Sequence, residues 1–229
     1  MIQPPEEQVV AGRIAEQAIK LGRQLCRKEI NGTVLDKEIE MIVLDNGGIP
    51  ALKNYKPPFS PNRYNYTICL SLNNEVVHGL PTKKVLPQDI ITIDLVVGYK
   101  GWYADSARTF TYNSDINKNK FINTSDSIFV GSIAAILPQK PIHFFGTTID
   151  IAAEYAGYYP IKEYCGHGIG RSIHMDPSVL NYKNSLPLVF EVGKSYAIEP
   201  ILAISKYSLT ESLDNWTVIS NCLTHHVED

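Results

Sequence analysis

DIITIDLVVGYKGWYADSARTF, Asp89 to Phe110, joins two β-rich runs through a turn and carries one aspartate inside each run. Ile90 to Val97 and Trp102 to Thr111 are rich in β-branched and aromatic residues, and Gly98-Tyr99-Lys100-Gly101 between them reads as a hairpin connection. If Tyr99 and Lys100 form a two-residue loop, Asp94 lies directly opposite Asp105. A loop moved by one residue either way leaves the two as diagonal neighbours on the same face. Directly opposed side chains have Cβ atoms about 4.5–5.5 Å apart, so two carboxylates repel there unless one is protonated or a cation lies between them. A divalent cation removes that cost, because hard cations prefer carboxylate oxygen. The alternative is that one Asp reaches solvent through a bulge.

Working outward toward the N-terminus, YTICLSL and EVVHGLP read as short strands around a turn at Asn73-Asn74. Before them, KNYKPPFSPNRYN, Lys53 to Asn65, has three prolines and no apolar period, which predicts a surface loop. Two helices precede the loop. Val9, Val10, Ile14, Ala18, Leu21 and Leu25 predict an amphipathic helix over Gln8 to Arg27, opened by PPEE. Leu35, Ile39, Ile42 and Val43 predict a second one, capped by Thr33 and stopped at Gly47-Gly48.

Toward the C-terminus, helices are expected around Ser125 to Leu137 and from Thr148 to Tyr158, the latter capped by Thr147 or Thr148. EYCGHGIGRSIHMDP follows, Glu163 to Pro177, with two of the six histidines, His167 and His174, on a glycine-rich backbone. Glycines often mark turns, and a lone His is commonly a solvated or satisfied residue. Glu199 stands in the apolar run SYAIEPIL, where a solvated face explains it poorly. The final NCLTHHVED offers Glu228, by default a solvated terminal residue.

Composition bounds the reading. The 229 residues are 44% hydrophobic and suit one large domain or two small ones with a sizeable core. The net charge of −3 comes from mixed charges, without the basic footprint of a nucleic-acid binder. Neither a signal sequence nor an 18-residue apolar run is visible, so no membrane association is expected. Cys26, Cys69, Cys165 and Cys222 are scattered without a C-x-x-C pair, which favours reduced thiols and a cytoplasmic setting. There is also a weak internal echo: helices lead to VVHGLP and the acid of ITIDL, then again to GHGIGRSIHMDP and the acid of YAIEPI.

EVVHGLP, ITIDL, YADSARTF, EYCGHGIGRSIH, AIEP and DNWTV stand in an order and approximate spacing that resembles the type I methionine aminopeptidases, over nearly the whole chain. That resemblance implies the pita-bread fold: α/β (α+β), two pseudo-symmetric halves with curved antiparallel sheets around a dinuclear metal site. The chain would be one catalytic domain, 1–229, with halves of roughly 1–120 and 121–229. The implied metal ligands are Asp94, Asp105, His167, Glu199 and Glu228, with Asp105 and Glu228 bridging two divalent ions. One imidazole and four carboxylates suit Co, Mn, Fe or Zn. His78 and His174 would touch substrate without binding metal, and glycines 166, 168 and 170 would let the backbone approach closely and aim His167 inward.

The implied reaction removes the N-terminal methionine of newly made proteins and peptides, favouring a small second residue. Glu199 would pass a proton from a metal-activated water to the leaving amine, His174 would donate to the oxyanion, and His78 would hold the amide nitrogen side. Tyr64, Cys69 and Trp216, with Tyr55 as a further member, would line the methionine pocket, although Trp216 and Cys69 read equally as core residues. Implied partners are N-terminal Met peptides and nascent polypeptides near the ribosome, met by a monomer. Against the family pattern, Ile173 replaces a common aromatic and Lys56 to Arg63 looks like an insertion beside the pocket. Strand packing of NCLTHHV through Leu223 and Val227 is what Glu228 needs to serve as a ligand, and would put His225 and His226 on opposite faces. Two other readings stand beside this one: a proline-specific aminopeptidase or dipeptidase, and a catalytically inactive pita-bread protein that only binds a partner.

Overall fold

The computed structural model describes residues 3–57, 60 and 62–229. Pro58, Phe59 and Pro61 of the expected insertion lie outside the described residues. Helix α1, Glu6–Leu25, starts slightly earlier than the apolar period suggested, with Glu6 and Glu7 in its first turn, where acids suit the helix dipole. After β1 (Ile30–Asn31) comes α2 (Gly32–Asp45). Its cap is Asn31, not Thr33: the Asn31 side chain accepts the Thr33 N–H at 3.0 Å, and the Thr33 hydroxyl donates to the same oxygen. Next follow β2 (Ile49–Pro50), β3 (Cys69–Leu72), β4 (Glu75–Val77), β5 (Lys84–Val85), β6 (Ile91–Tyr99) and β7 (Trp102–Phe110). Between β2 and β3 the described part of 53–65 has no helix or strand, as expected. Pro57, Ser60 and Tyr64 are nonetheless buried, so it forms an inner wall as well as a surface loop.

The hairpin exists, with its loop one residue later than the direct-opposition reading. Tyr99 pairs with Trp102, leaving Lys100 and Gly101 as the turn at φ 47° and 78°. Positive φ at both positions fits a type I′ connection, and glycine suits the second. Val96 therefore faces Asp105 and Asp94 faces Ala107, which makes the two aspartates diagonal neighbours on one face. Ile91, Ile93, Leu95 and Val97 point the other way, into a core with α1 and α2.

In the second half, α3 spans Ile116–Ile133, starting well before Ser125 because the Asp115 side chain accepts from the N–H groups of Asn117 and Lys118. Helix α4, His143–Ala156, likewise begins before the expected cap. Thr147 and Thr148 sit inside it, and their hydroxyls donate to the carbonyls of His143 and Phe144. The remaining strands are β8 (Tyr159–Pro160), β9 (Gly166–Ile169), β10 (Met175–Val179), β11 (Ser195–Ala197), β12 (Ile201–Ala203), β13 (Leu209–Glu211), β14 (Val218–Ser220) and β15 (Thr224–His226). They form three-stranded sheets ordered β10-β9-β11, β15-β12-β8 and β13-β14-β4. Phe121, Phe145 and Ile149 of α3 and α4 pack on Leu202 and Val227 in a second core. The β14–β4 pairing and a bridge between Ala107 and Glu228 join early and late segments.

Candidate metal centre

Strand register builds one side of the site. Cys69 of β3 lies opposite Asp94 of β6, Asp94 opposite Ala107 of β7, and Ala107 opposite Glu228. Opposed residues share a face, so this row and Asp105, two residues from Ala107, lie on one face, and Cys69, Asp94, Asp105 and Glu228 line one cavity. Glu228 is only 3% exposed, not a frayed end. Mutual N–H to carbonyl bonds with Ala107 (2.9 and 3.2 Å) fix its backbone, and Leu223 and Val227 pack into the second core.

His167 and Glu199 supply the other side. His167 sits on β9 between Ser178 of β10 and Ala197 of β11. A Cβ on Gly166 would come within 2.4 Å of the Ala197 carbonyl oxygen, and one on Gly168 within 2.4 Å of that of Asp176, so bare backbone on either side of His167 lets three strands close up. Gly170 is different, since a Cβ there would meet only the Trp102 and Met175 side chains, at 3.4 and 3.6 Å, and the expected role does not extend to it. The His167 Nδ1–H donates to the Gly168 carbonyl at 2.9 Å, leaving Nε2 as the lone-pair nitrogen, 3.5 Å from Glu199 Oε1. Glu199 does not stand within a strand. It lies in the break between β11 and β12, where Asn181 donates to its carbonyl (2.9 Å) and Ile198 pairs with Asp229.

One cavity of about 120 Å³ gathers all five expected ligands, together with His78, His174, Tyr55, Tyr64, Cys69 and Trp216. His78 follows β4 at φ 58°, an uncommon left-handed conformation for a non-glycine residue and frequent at functional sites. His174 lies in the bend before β10, its ring 4.6 Å from that of His167, with Nδ1 3.0 Å from the Tyr55 hydroxyl. Tyr64 donates to the Ile68 carbonyl (2.8 Å) and packs edge-on against Trp216 at 5.0 Å. The sequence raised Tyr55 only as a pocket member. Its hydrogen bond to His174 spans 119 residues and had no local signal.

Electrostatics single out the same residues. Burial pushes Asp94 up to about 7, a shift the Cys69 thiol offsets only in part by hydrogen bonding. Burial and then the neighbouring carboxylates raise Asp105, Glu199 and Glu228 well above the ordinary carboxylate range. Burial lowers His78 and His174 to about 4 and His226 to about 3, which keeps those imidazoles neutral. Asp105 Oδ1 and Glu228 Oε1 are buried without hydrogen-bond partners among the described residues. Clustered carboxylates with orphaned oxygens beside a lone-pair imidazole nitrogen fit a divalent cation. Asp105, His167 and Glu228 offer donor atoms within 4.8 Å of one another.

Known proteins share this architecture. A methionine aminopeptidase of Aquifex aeolicus is 34% identical over 217 residues, 90% of this chain and 84% of its own length. The crystal structure of methionine aminopeptidase from Thermotoga maritima superposes with a TM-score of 0.91 at 27% identity, covering all of this chain and 93% of that one, and the fold is the expected pita-bread arrangement. The prolidase of Pyrococcus furiosus shares the fold with a TM-score of 0.70 at 19% identity, but this chain spans only 59% of its length. The model of metallopeptidase family M24 matches residues 8–221, which include four of the five expected ligands, and the chain belongs to that family.

Proposed function

We propose that this protein removes the N-terminal methionine from proteins and peptides, as a type I methionine aminopeptidase. Asp94, Asp105, His167, Glu199 and Glu228 would hold two divalent ions, Asp105 and Glu228 being the carboxylates that would serve both. The observation that carries the reading is the convergence of these side chains on one narrow cavity walled by Tyr64 and Trp216. Methionine aminopeptidases at about 30% identity over most of the chain support it. The single catalytic domain spans 1–229, its halves roughly 1–120 and 121–229, and works as a monomer on nascent chains in the cytoplasm.

When bound, the ions, of Co, Mn, Fe or Zn, supply a water acidic enough to attack at neutral pH. Glu199 takes the proton of that water and delivers it to the leaving amine. His174 donates from Nε2–H to the carbonyl oxygen as negative charge develops on it. The Tyr55 hydroxyl, donating to Nδ1, holds that tautomer. His78 steadies the scissile amide. Tyr64, Cys69 and Trp216 enclose the unbranched thioether side chain, and a small second residue is favoured.

The test is metal analysis of the purified protein with release of methionine from Met-Gly peptides and from peptides with a bulky second residue. Bound metal and faster cleavage of Met-Gly are expected, and Asp105→Asn should lose both metal and turnover while remaining folded. Undiminished turnover in Asp105→Asn would overturn the dinuclear reading.

A further inference from the structure

β15 alternates two histidines. His225 points away from the cavity, its Nε2 2.9 Å from Asp126 Oδ1 of α3. His226 points into it and lines the same wall as Glu199 and Glu228. Its Nε2 lies 3.8 Å from Glu199 Oε2 and 3.7 Å from Glu228 Oε2, too far for hydrogen bonds. That nitrogen is buried and has no hydrogen-bond partner among the described residues, although the side chain is only 4% exposed. At the same ring position His225 does have a partner, Asp126, although its own Nδ1 is buried without one among the described residues. Both backbone groups of His226 are held by Thr109: its N–H donates to the Thr109 hydroxyl oxygen and its carbonyl accepts from that hydroxyl. The ring is therefore aimed by the strand.

Glu199, His226 and Glu228 offer one donor atom each within 4.8 Å of one another, a second cluster beside that of Asp105, His167 and Glu228. We infer that His226 is a sixth ligand of the centre, binding through Nε2 the ion that Glu199 and Glu228 also hold. The inference rests on the metal centre proposed above. Separations near 3.7 Å are on the scale expected for donors sharing an ion at about 2.0–2.2 Å from each. A second imidazole beside His167 shifts the donor set toward ions that favour nitrogen, such as Zn, Co and Fe, and away from Mn, which suits carboxylate and water.

Zn²⁺ and Mn²⁺ are the probes. X-ray absorption of the wild-type protein loaded with two equivalents of Zn²⁺ should count two coordinated imidazoles per centre, and His226→Gln one. Competition with a chelator should show Zn²⁺ affinity lowered about 10- to 100-fold in His226→Gln, with Mn²⁺ affinity changed much less. One imidazole per centre in the wild type overturns the inference, whether or not the variant folds. So does an unchanged Zn²⁺ affinity in a folded His226→Gln protein. The metal-centre reading fails separately: wild-type protein that binds no Zn²⁺, or Asp105→Asn that binds as well as wild type, rejects the centre itself.

Discussion

Glu228 and Asp229 are chain neighbours with carboxylates in opposite surroundings. Glu228 is buried beside Asp105 and Glu199, whereas Asp229 is half exposed and forms a fork with Arg108 Nη2 at 2.6 Å to each oxygen. An exposed pair of this kind contributes about 0–1 kcal/mol. Asp229→Ala is therefore expected to leave metal content unchanged, while Glu228→Ala reduces bound metal from two ions toward one and removes most activity. Equal behaviour of the two variants, both active with full metal, would contradict the bridging role. His174 separates binding from chemistry. His174→Ala should keep its metal and lose about 10²-fold in kcat, the scale of one oxyanion donor; loss of metal instead would make it a ligand. The residue types of the site were legible from motif order, but the burial of Glu228 was not. Burial depends on the bridge to Ala107, a partner far away in sequence.

Strand alternation explains why the hairpin's chemistry does not depend on which of the two loop positions is adopted. Moving the turn by one residue changes which residues oppose each other but preserves the face, so Asp94 and Asp105 converge either way. The loop itself was ambiguous because glycines flank Tyr99-Lys100 on both sides, and only the type I′ preference for glycine at the second position selects Lys100-Gly101. Two helix starts were missed because their caps, Asn31 and Asp115, precede the first residue of the apolar period and act through side-chain hydrogen bonds to the first-turn N–H groups. The register also gives Ala107 a function. It lies between Asp94 and Glu228 in the row across β6, β7 and the terminal segment, fully buried, with a methyl group where any larger side chain would enter the carboxylate cluster. Ala107→Val favours the strand locally, yet overpacking costs about 1–3 kcal/mol. Its metal affinity should fall more than stability alone accounts for, measured by chelator competition beside thermal unfolding. Unaltered metal affinity would show that the row is not close around the ions.

Across the whole molecule, the two cores hold charge that neither would bury alone. Helices α1 and α2 back β6 while α3 and α4 back β12 and the terminal segment, and the cavity lies where the two sets of strands meet. With Asp94 raised to about 7 and Asp105, Glu199 and Glu228 also raised, the metal-free site holds protons that unfolded carboxylates, near 4, would release. These groups favour the folded state at low pH; the contribution of Asp94 is lost as pH rises through about 7, and those of Asp105, Glu199 and Glu228 have the same sign. The buried imidazoles have the opposite sign: lowered to about 4 in His78 and His174, they favour folding above the unfolded value near 6.5 and lose that contribution as pH falls through about 4. The two sets oppose each other in folding, but for metal the carboxylate protons dominate, because a cation must displace them to reach the oxygens. Divalent-ion affinity should therefore fall steadily as pH drops below about 7, with protons released on binding. Calorimetric titration of Mn²⁺ at several pH values, in buffers of different ionisation enthalpy, measures both quantities. Affinity that stays level from pH 8 to 5.5 without proton release would mean that the ions are not held by these buried carboxylates.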